Sequence, residues 1–143
     1  MTEQYIDLIP HRPPMLLIEK VEEVSRYASK ASVKISIQSP FYSIGRGVPS
    51  WIGIEYMGQT AALIAGYQLE QGHVGPHLGF LLGTRKFEAK TAWFYEGIEL
   101  YITCDEVAVV GSTLATFDCK IQDAFDSVIL ARAQISVMMK PLA

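Results

Sequence analysis

The sequence predicts an α+β fold, a curled antiparallel sheet wrapped around one long central helix, on three observations. The first is the stretch VPSWIGIEYMGQTAALIAGY, Val48 to Tyr67. Beyond Trp51 it is apolar or small almost throughout and carries one charge, Glu55. A helix that is apolar nearly all round is buried on most sides and needs a sheet to enclose it. The second is the series of alternating apolar segments after that stretch. The third is their order. Strand, loop, helix and then consecutive strands lacks the alternating helices of a doubly wound parallel sheet.

Taken in order, the chain opens on LIPHRPPMLLIEKVEEV, where Pro10, Pro13 and Pro14 exclude a helix. Met15–Ile18 reads there as a short buried strand or extended segment. KASVKISIQ alternates, with Ala31, Val33, Ile35 and Ile37 on one face and Lys30, Ser32, Lys34 and Ser36 on the other. The turn-rich loop SPFYSIGRGVPS leads to the helix, whose start is marked by Pro49-Ser50. Ser50 is expected to cap free N–H groups. The helix extends to about Gln71, stopped by Gly72, Gly75 and Pro76.

Four strands complete the prediction. HLGFLLGTRKFEAK is followed by GIELYITCDEVAVV after a turn at Glu96-Gly97. TLATFDCKIQ points Ala115, Phe117, Cys119 and Ile121 inward, and VILARAQISVMM does the same with Ile129, Ala131, Ala133, Ile135 and Val137. Edge strands of such a sheet pair readily with a second copy, so at least a dimer is expected.

Composition narrows the function classes. The 143 residues suit a single domain, 1–143, with half of them hydrophobic and a net charge of -3. No basic run exceeds two residues, which argues against a nucleic-acid or anionic-membrane surface. Cys104 and Cys119 stand in no metal-type or redox-type spacing and read as buried small hydrophobes in a reducing compartment. The start, MTEQYIDLIPHR, has no basic region followed by an apolar run, so no secretion signal is expected. Ile52 to Tyr67 is shorter than the roughly 20 residues a bilayer requires and holds Glu55, Gln59 and three glycines. The expected location is therefore cytoplasmic. No metal-ligand cluster or Ser-His-Asp spacing is present, and no cofactor is expected.

Glu55 is the sharpest candidate for chemistry. It falls in the first turn of the helix, where the dipole favours an anion, while its apolar neighbours disfavour ionisation. Such opposed influences suit an acid or base, although backbone donors could equally satisfy a first-turn carboxylate. Gln59 lies one turn further on the same face, so both side chains could meet one substrate oxygen. Trp51 precedes Glu55 closely and is expected to line a substrate channel. His11, between prolines, reads as a structural histidine bonded to nearby backbone. His73 and His77 read as exposed loop residues, and no histidine lies in the loop before Glu55. Gly45–Gly47, reading GRG, lacks the nucleotide fingerprint and reads as a turn. Arg46, Arg85 and Lys86 are solvated cations by default, or contacts for an acidic partner or a phosphate.

In sequence the chain resembles the 3-hydroxyacyl-ACP dehydratases of fatty acid synthesis. LIPHRPPMLLIEKV is similar to their opening, SPFY to the strand end before their active-site loop, and GIEYMGQTAA to their central-helix signature. GFLLGTRKFEAK and YEGIEL resemble the strand and turn beyond their central helix, so the likeness runs through essentially the whole chain. The pattern P-x-W-x-x-I-E-x-M-x-Q-T at Pro49–Thr60 is closest to the dehydratase-like subunit of aryl polyene synthesis.

The resemblance implies the hotdog fold and gives Glu55 the role of handling the leaving hydroxyl. Backbone N–H groups near the helix start or at Gly79 would polarise the thioester carbonyl, and Phe80 would border the acyl tunnel. The family's proton-abstracting histidine sits in a glycine-histidine-phenylalanine-proline-glycine loop. Here that loop reads SIGRGVPSW, and the histidine does not carry over.

Three readings stay open. The chain is a dehydratase subunit acting on a 3-hydroxyacyl chain on acyl carrier protein, its missing base supplied by a histidine-bearing hotdog partner in a mixed dimer. Alternatively, it is a thioesterase using Glu55 alone, or a non-catalytic acyl-binding or structural subunit. All three require a hydrophobic tunnel bounded by the helix start and the Phe80–Gly83 strand.

Overall fold

The computed structural model describes residues 5–75, 77–111 and 113–141, and the backbone alone for residues 77, 78, 80–82 and 141. The elements are β1 (Lys20–Val24), β2 (Ala28–Lys34), β3 (Val48–Pro49), α1 (Gly53–Glu70), β4 (His77–Ala89), β5 (Trp93–Phe94), β6 (Glu99–Val110), β7 (Leu114–Asp123) and β8 (Ile129–Pro141). Six strands form one antiparallel sheet in the order β1-β2-β6-β7-β8-β4, and β3 pairs with β5 separately.

Alternation fixes the register. Ala115, Phe117, Cys119 and Ile121 of β7 lie opposite Val137, Ile135, Ala133 and Ala131 of β8, so the inward positions of one strand meet those of the next. Ile102 and Cys104 of β6 extend the same face opposite Ile121 and Cys119. A slip of one residue would turn this whole set to solvent, so the apolar pattern specifies one pairing. Tyr56, Met57, Leu63 and Ile64 of α1 pack on that face and are almost wholly buried.

Two glycines set where α1 lies. A Cβ on Gly53 would come within 2.8 Å of Ile121 Cδ1, so the helix start rests directly on β7. A Cβ on Gly66 would run into the carbonyl oxygen of Leu8, which lets the N-terminal segment press on the helix backbone. The helix ends at Gly72, whose φ of 78 suits glycine. Gly72 N–H donates to the Leu69 carbonyl at 3.1 Å and His73 N–H to that of Gln68 at 2.8 Å, the paired bonds of a Schellman motif. Pro76 lies outside the described residues. No described helix is long and apolar enough to cross a membrane.

Several expectations are corrected. Ser50 makes no side-chain cap: it begins a 3-10 turn, Ser50–Ile52, ahead of α1, and its N–H donates to the Ala92 carbonyl at 3.0 Å. β2 stops at Lys34, and Ile37 is 66% exposed because residues 36–39 form a turn in which Ser39 Oγ accepts from Ser36 N–H. Of the two readings of Met15–Ile18, the extended segment holds and the strand does not, since no ladder forms there. Leu17 and Ile18 are buried, but Met15 is not. EKVEEV supplies β1, an edge strand that periodicity missed because Val21 alone among its five residues is fully buried. His77 falls in β4, not in a loop. Cys104 and Cys119, apart in sequence, are cross-strand neighbours with sulfurs 3.1 Å apart, and burial pushes the Cys104 thiol well up.

Candidate active site

The helix face that begins at Glu55 is built from small residues. Gly58, Ala62, Ala65 and Gly66 continue it at helical spacing, and their size leaves room between α1 and residues 7–12. The result is a cavity of about 470 Å³. Ala115 and Phe117 of β7, Val137 and Met139 of β8 and Gly79 of β4 close it on the sheet side. From Glu55 to Leu69, at the far end of the lining, the helix rises about 20 Å. Among the described residues the ionisable lining is Asp7, His11, Arg12 and Glu55. Glu55 stands toward the helix start, Asp7 adjoins Leu8 beside Gly66 further along, and the described sheet side of the slot is apolar. Residues 7–12 form the wall opposite the helix, and Gly79 of β4 lines the sheet side. The side chains of residues 80–82, in the strand expected to bound the tunnel, lie outside the described residues.

Glu55 lines this cavity. It is exposed in the single chain and makes no hydrogen bond or ion pair among the described residues. The alternative in which backbone donors satisfy it is not what the structure shows. A carboxylate without a partner, beside an apolar slot, is free to exchange a proton with whatever enters.

Gln59 also borders the cavity, but its amide is committed elsewhere. Its Oε1 accepts from Leu17 N–H at 2.8 Å and Ile18 N–H at 3.3 Å, and its Nε2 donates to the Met15 carbonyl at 2.8 Å. The side chain is only 2% exposed. It pins the extended segment after the prolines to the helix, satisfying backbone groups that no ladder serves.

The wall that carries His11 is held as well. Arg12 Nη1 donates to the Ile9 and His11 carbonyls, both at 2.7 Å, and Nη2 lies 3.6 Å from Asp7 Oδ1. His11 differs from expectation. Its side chain is half-buried and bonded to no backbone group, and its Nδ1 is sealed from solvent without a partner. Burial pulls its pKa below 6.5, with Arg12 acting in the same direction and the Glu55 charge opposing. The structure thus brings His11 to the cavity of Glu55 across 44 positions of sequence, which spacing alone could not indicate.

Trp51 is not brought to the cavity. It sits on the 3-10 turn, 60% exposed. Gly79 does line the cavity. Phe80 pairs with Met138 on the backbone, and its side chain lies outside the described residues. Arg46 is exposed and stacks 5.4 Å over the Trp93 ring. Arg85 and Lys86 are exposed on β4.

The family model for ApeP-like dehydratases matches residues 4–142. Among curated relatives, the 3-hydroxyacyl-[acyl-carrier-protein] dehydratase FabZ of Anaeromyxobacter dehalogenans is 29% identical over 82 residues, covering 54% of this chain and 53% of that protein. The matched part thus spans about half the length of the curated relatives. Among solved structures, the dehydratase heterocomplex ApeI:P from Xenorhabdus doucetiae superposes with a TM-score of 0.83 at 26% identity, covering 96% of this chain and 91% of that one. Zebra fish thioesterase superfamily member 2 superposes at 0.73 over 97% and 94% of the two chains, at 13% identity, a likeness of fold alone. The architecture is the hotdog fold, and the chain belongs to the ApeP-like dehydratase family.

Proposed function

We propose that this chain is a subunit of a dehydratase that removes water from a 3-hydroxyacyl thioester delivered on acyl carrier protein, in fatty acid or polyene synthesis in the cytoplasm. The observation that carries the reading is Glu55, a carboxylate that makes no hydrogen bond or ion pair among the described residues and lines a slot walled largely by apolar and small side chains. In the step, a base takes the proton from the carbon next to the thioester carbonyl. The electron pair left behind forms the carbon–carbon double bond as the bond from C3 to its hydroxyl breaks. Glu55, as the carboxylic acid, gives its proton to that hydroxyl, which departs as water. The two protons balance once the base returns its own to the carboxylate.

The loop before Glu55 offers no base, so the proton acceptor is assigned to a histidine of a second hotdog subunit in a mixed dimer. The likeness to a dehydratase heterocomplex supports that assignment. Gly79 lines the slot where a backbone N–H serves the carbonyl. Arg46, Arg85 and Lys86, all exposed, supply cations for an acidic carrier.

Purification from native cells tests this reading. A second hotdog chain is expected to accompany the protein, and dehydration of 3-hydroxydecanoyl carrier protein is expected only with both chains present. Hydrolysis of acyl thioesters by the chain alone would move it to the thioesterases. Turnover that does not need this chain would make it a structural subunit.

A further inference from the structure

The loop before Glu55 lacks a histidine, yet the cavity contains one. We propose that His11 is a carbonyl-polarising residue: a neutral imidazole that donates an N–H hydrogen bond from Nε2 to the carbonyl oxygen of the bound acyl thioester. This rests on the slot being the acyl site.

The tautomer is set by which side of the ring is sealed. Nδ1 touches no solvent and has no hydrogen-bond partner, while the side chain as a whole is half-buried and lines the cavity. The open edge of the ring therefore carries Nε2. A neutral imidazole has one N–H, on one nitrogen or the other. Placing it on Nδ1 would bury an orphan donor, whereas leaving Nδ1 as a lone pair is the lesser penalty. The imidazolium form would need both nitrogens to donate and would strand the same N–H. A sealed Nδ1 thus selects the Nε2–H form and opposes the charge that a general base must accept.

The surrounding charges leave this preference intact. On its own segment His11 faces Asp7 and Arg12, which are 3.6 Å apart and pair with each other. From α1 it faces Glu55. From β4, β7 and β8 the lining residues among those described are Gly79, Ala115, Phe117, Val137 and Met139, none of them ionisable, and the side chain of His77 on β4 lies outside the described residues. Burial outweighs the Glu55 carboxylate, and the ring titrates below 6.5.

The position is also fixed. Arg12 ties the carbonyls on either side of Pro10, Leu8 lies against Gly66, and Gln59 holds the chain from Met15 to Ile18. A donor held in place before the reaction stabilises charge developing on the carbonyl oxygen as the neighbouring proton leaves. Neutral imidazoles are suited to that task when their protonation is suppressed.

The test uses the native complex in three measurements. Nitrogen-15 spectra of His11 are expected to show the Nε2–H tautomer, less than half charged at pH 6.5. An Nδ1–H tautomer, or a cation at neutral pH, would overturn the proposal. With 2-decenoyl-N-acetylcysteamine bound, the carbonyl stretch is expected to fall to lower wavenumber in the wild type and in His11→Gln, which keeps an N–H donor. It is expected to return toward its value in water in His11→Leu. A stretch unmoved by His11→Leu contradicts the assignment. If that variant does not fold, the wild type decides alone: a bound carbonyl absorbing as it does in water sinks it.

Turnover gives the third measurement. His11→Leu is expected to lose about 10²-fold in kcat/KM and His11→Gln to stay within about tenfold. Equal, near-complete loss in both would make His11 the base instead. A complex without dehydratase activity would overturn the proposed function, and the infrared result would still judge His11.

Discussion

Glu55→Gln is expected to lower turnover of the native complex about 10²–10⁴-fold, the range a positioned acid or base supplies. Folding and assembly should be nearly unchanged. The asymmetry comes from the environment of the carboxylate: it is exposed in the single chain and makes no hydrogen bond or ion pair among the described residues. Replacing it by an amide of the same shape removes the group that can give up and take back a proton, and little else. Surface changes without structural partners usually shift stability by less than about 0.5 kcal/mol. Substrate binding should be preserved, because the helix face beyond position 55 supplies the slot, so kcat falls and KM stays. A loss of turnover that tracked a loss of folded complex would mean the residue is structural.

Gln59→Leu is expected to act in the opposite sense, on stability and not on chemistry. The substitution keeps the approximate volume but removes the acceptor for Leu17 and Ile18 N–H and the donor for the Met15 carbonyl. The two buried N–H groups left without partners cost about 1–3 kcal/mol each, so the total is about 2–6 kcal/mol. Against a typical stability of about 5–15 kcal/mol this is a large fraction. A fall in Tm of roughly 10 °C or more should appear in a thermal scan. If the amide served substrate alone, Tm would stay and KM would rise. The two substitutions thus separate residues one helical turn apart that sequence reasoning had joined in one role.

That conflation shows where reading the sequence stops working. The helix and the long strands were legible because their signals are local: apolar density from Trp51 onward, and alternation at Ala115, Phe117, Cys119 and Ile121 that recurs in the register with β8. Glu55 was legible because it is the one charge in that run. The role of Gln59 was not, since its partners lie 41–44 positions away in a segment with no ladder of its own. Ser50 failed as a cap for a similar reason. A 3-10 turn, Ser50–Ile52, comes before α1 and puts Ile52, not Ser50, at the helix boundary, while the Ser50 backbone N–H joins Ala92 beside the β3–β5 ladder. His11 was misread because proline neighbours suggest local bonding, whereas its environment is set by the helix packed across from it. The cysteine pair was recoverable in principle: both residues alternate inward on consecutive strands, and the hairpin register then places them opposite each other.

Everything proposed for the site depends on what a bound substrate presents to position 55. The most direct measurement is a crystal structure of the native complex carrying Glu55→Gln, slowed enough to retain substrate, with a 3-hydroxydecanoyl thioester bound. The predicted result is the acyl tail along the Gly58–Gly66 face, with the 3-hydroxyl within about 2.6–3.2 Å of the amide at position 55. A tail lodged elsewhere, or a hydroxyl turned away from that position, would contradict it.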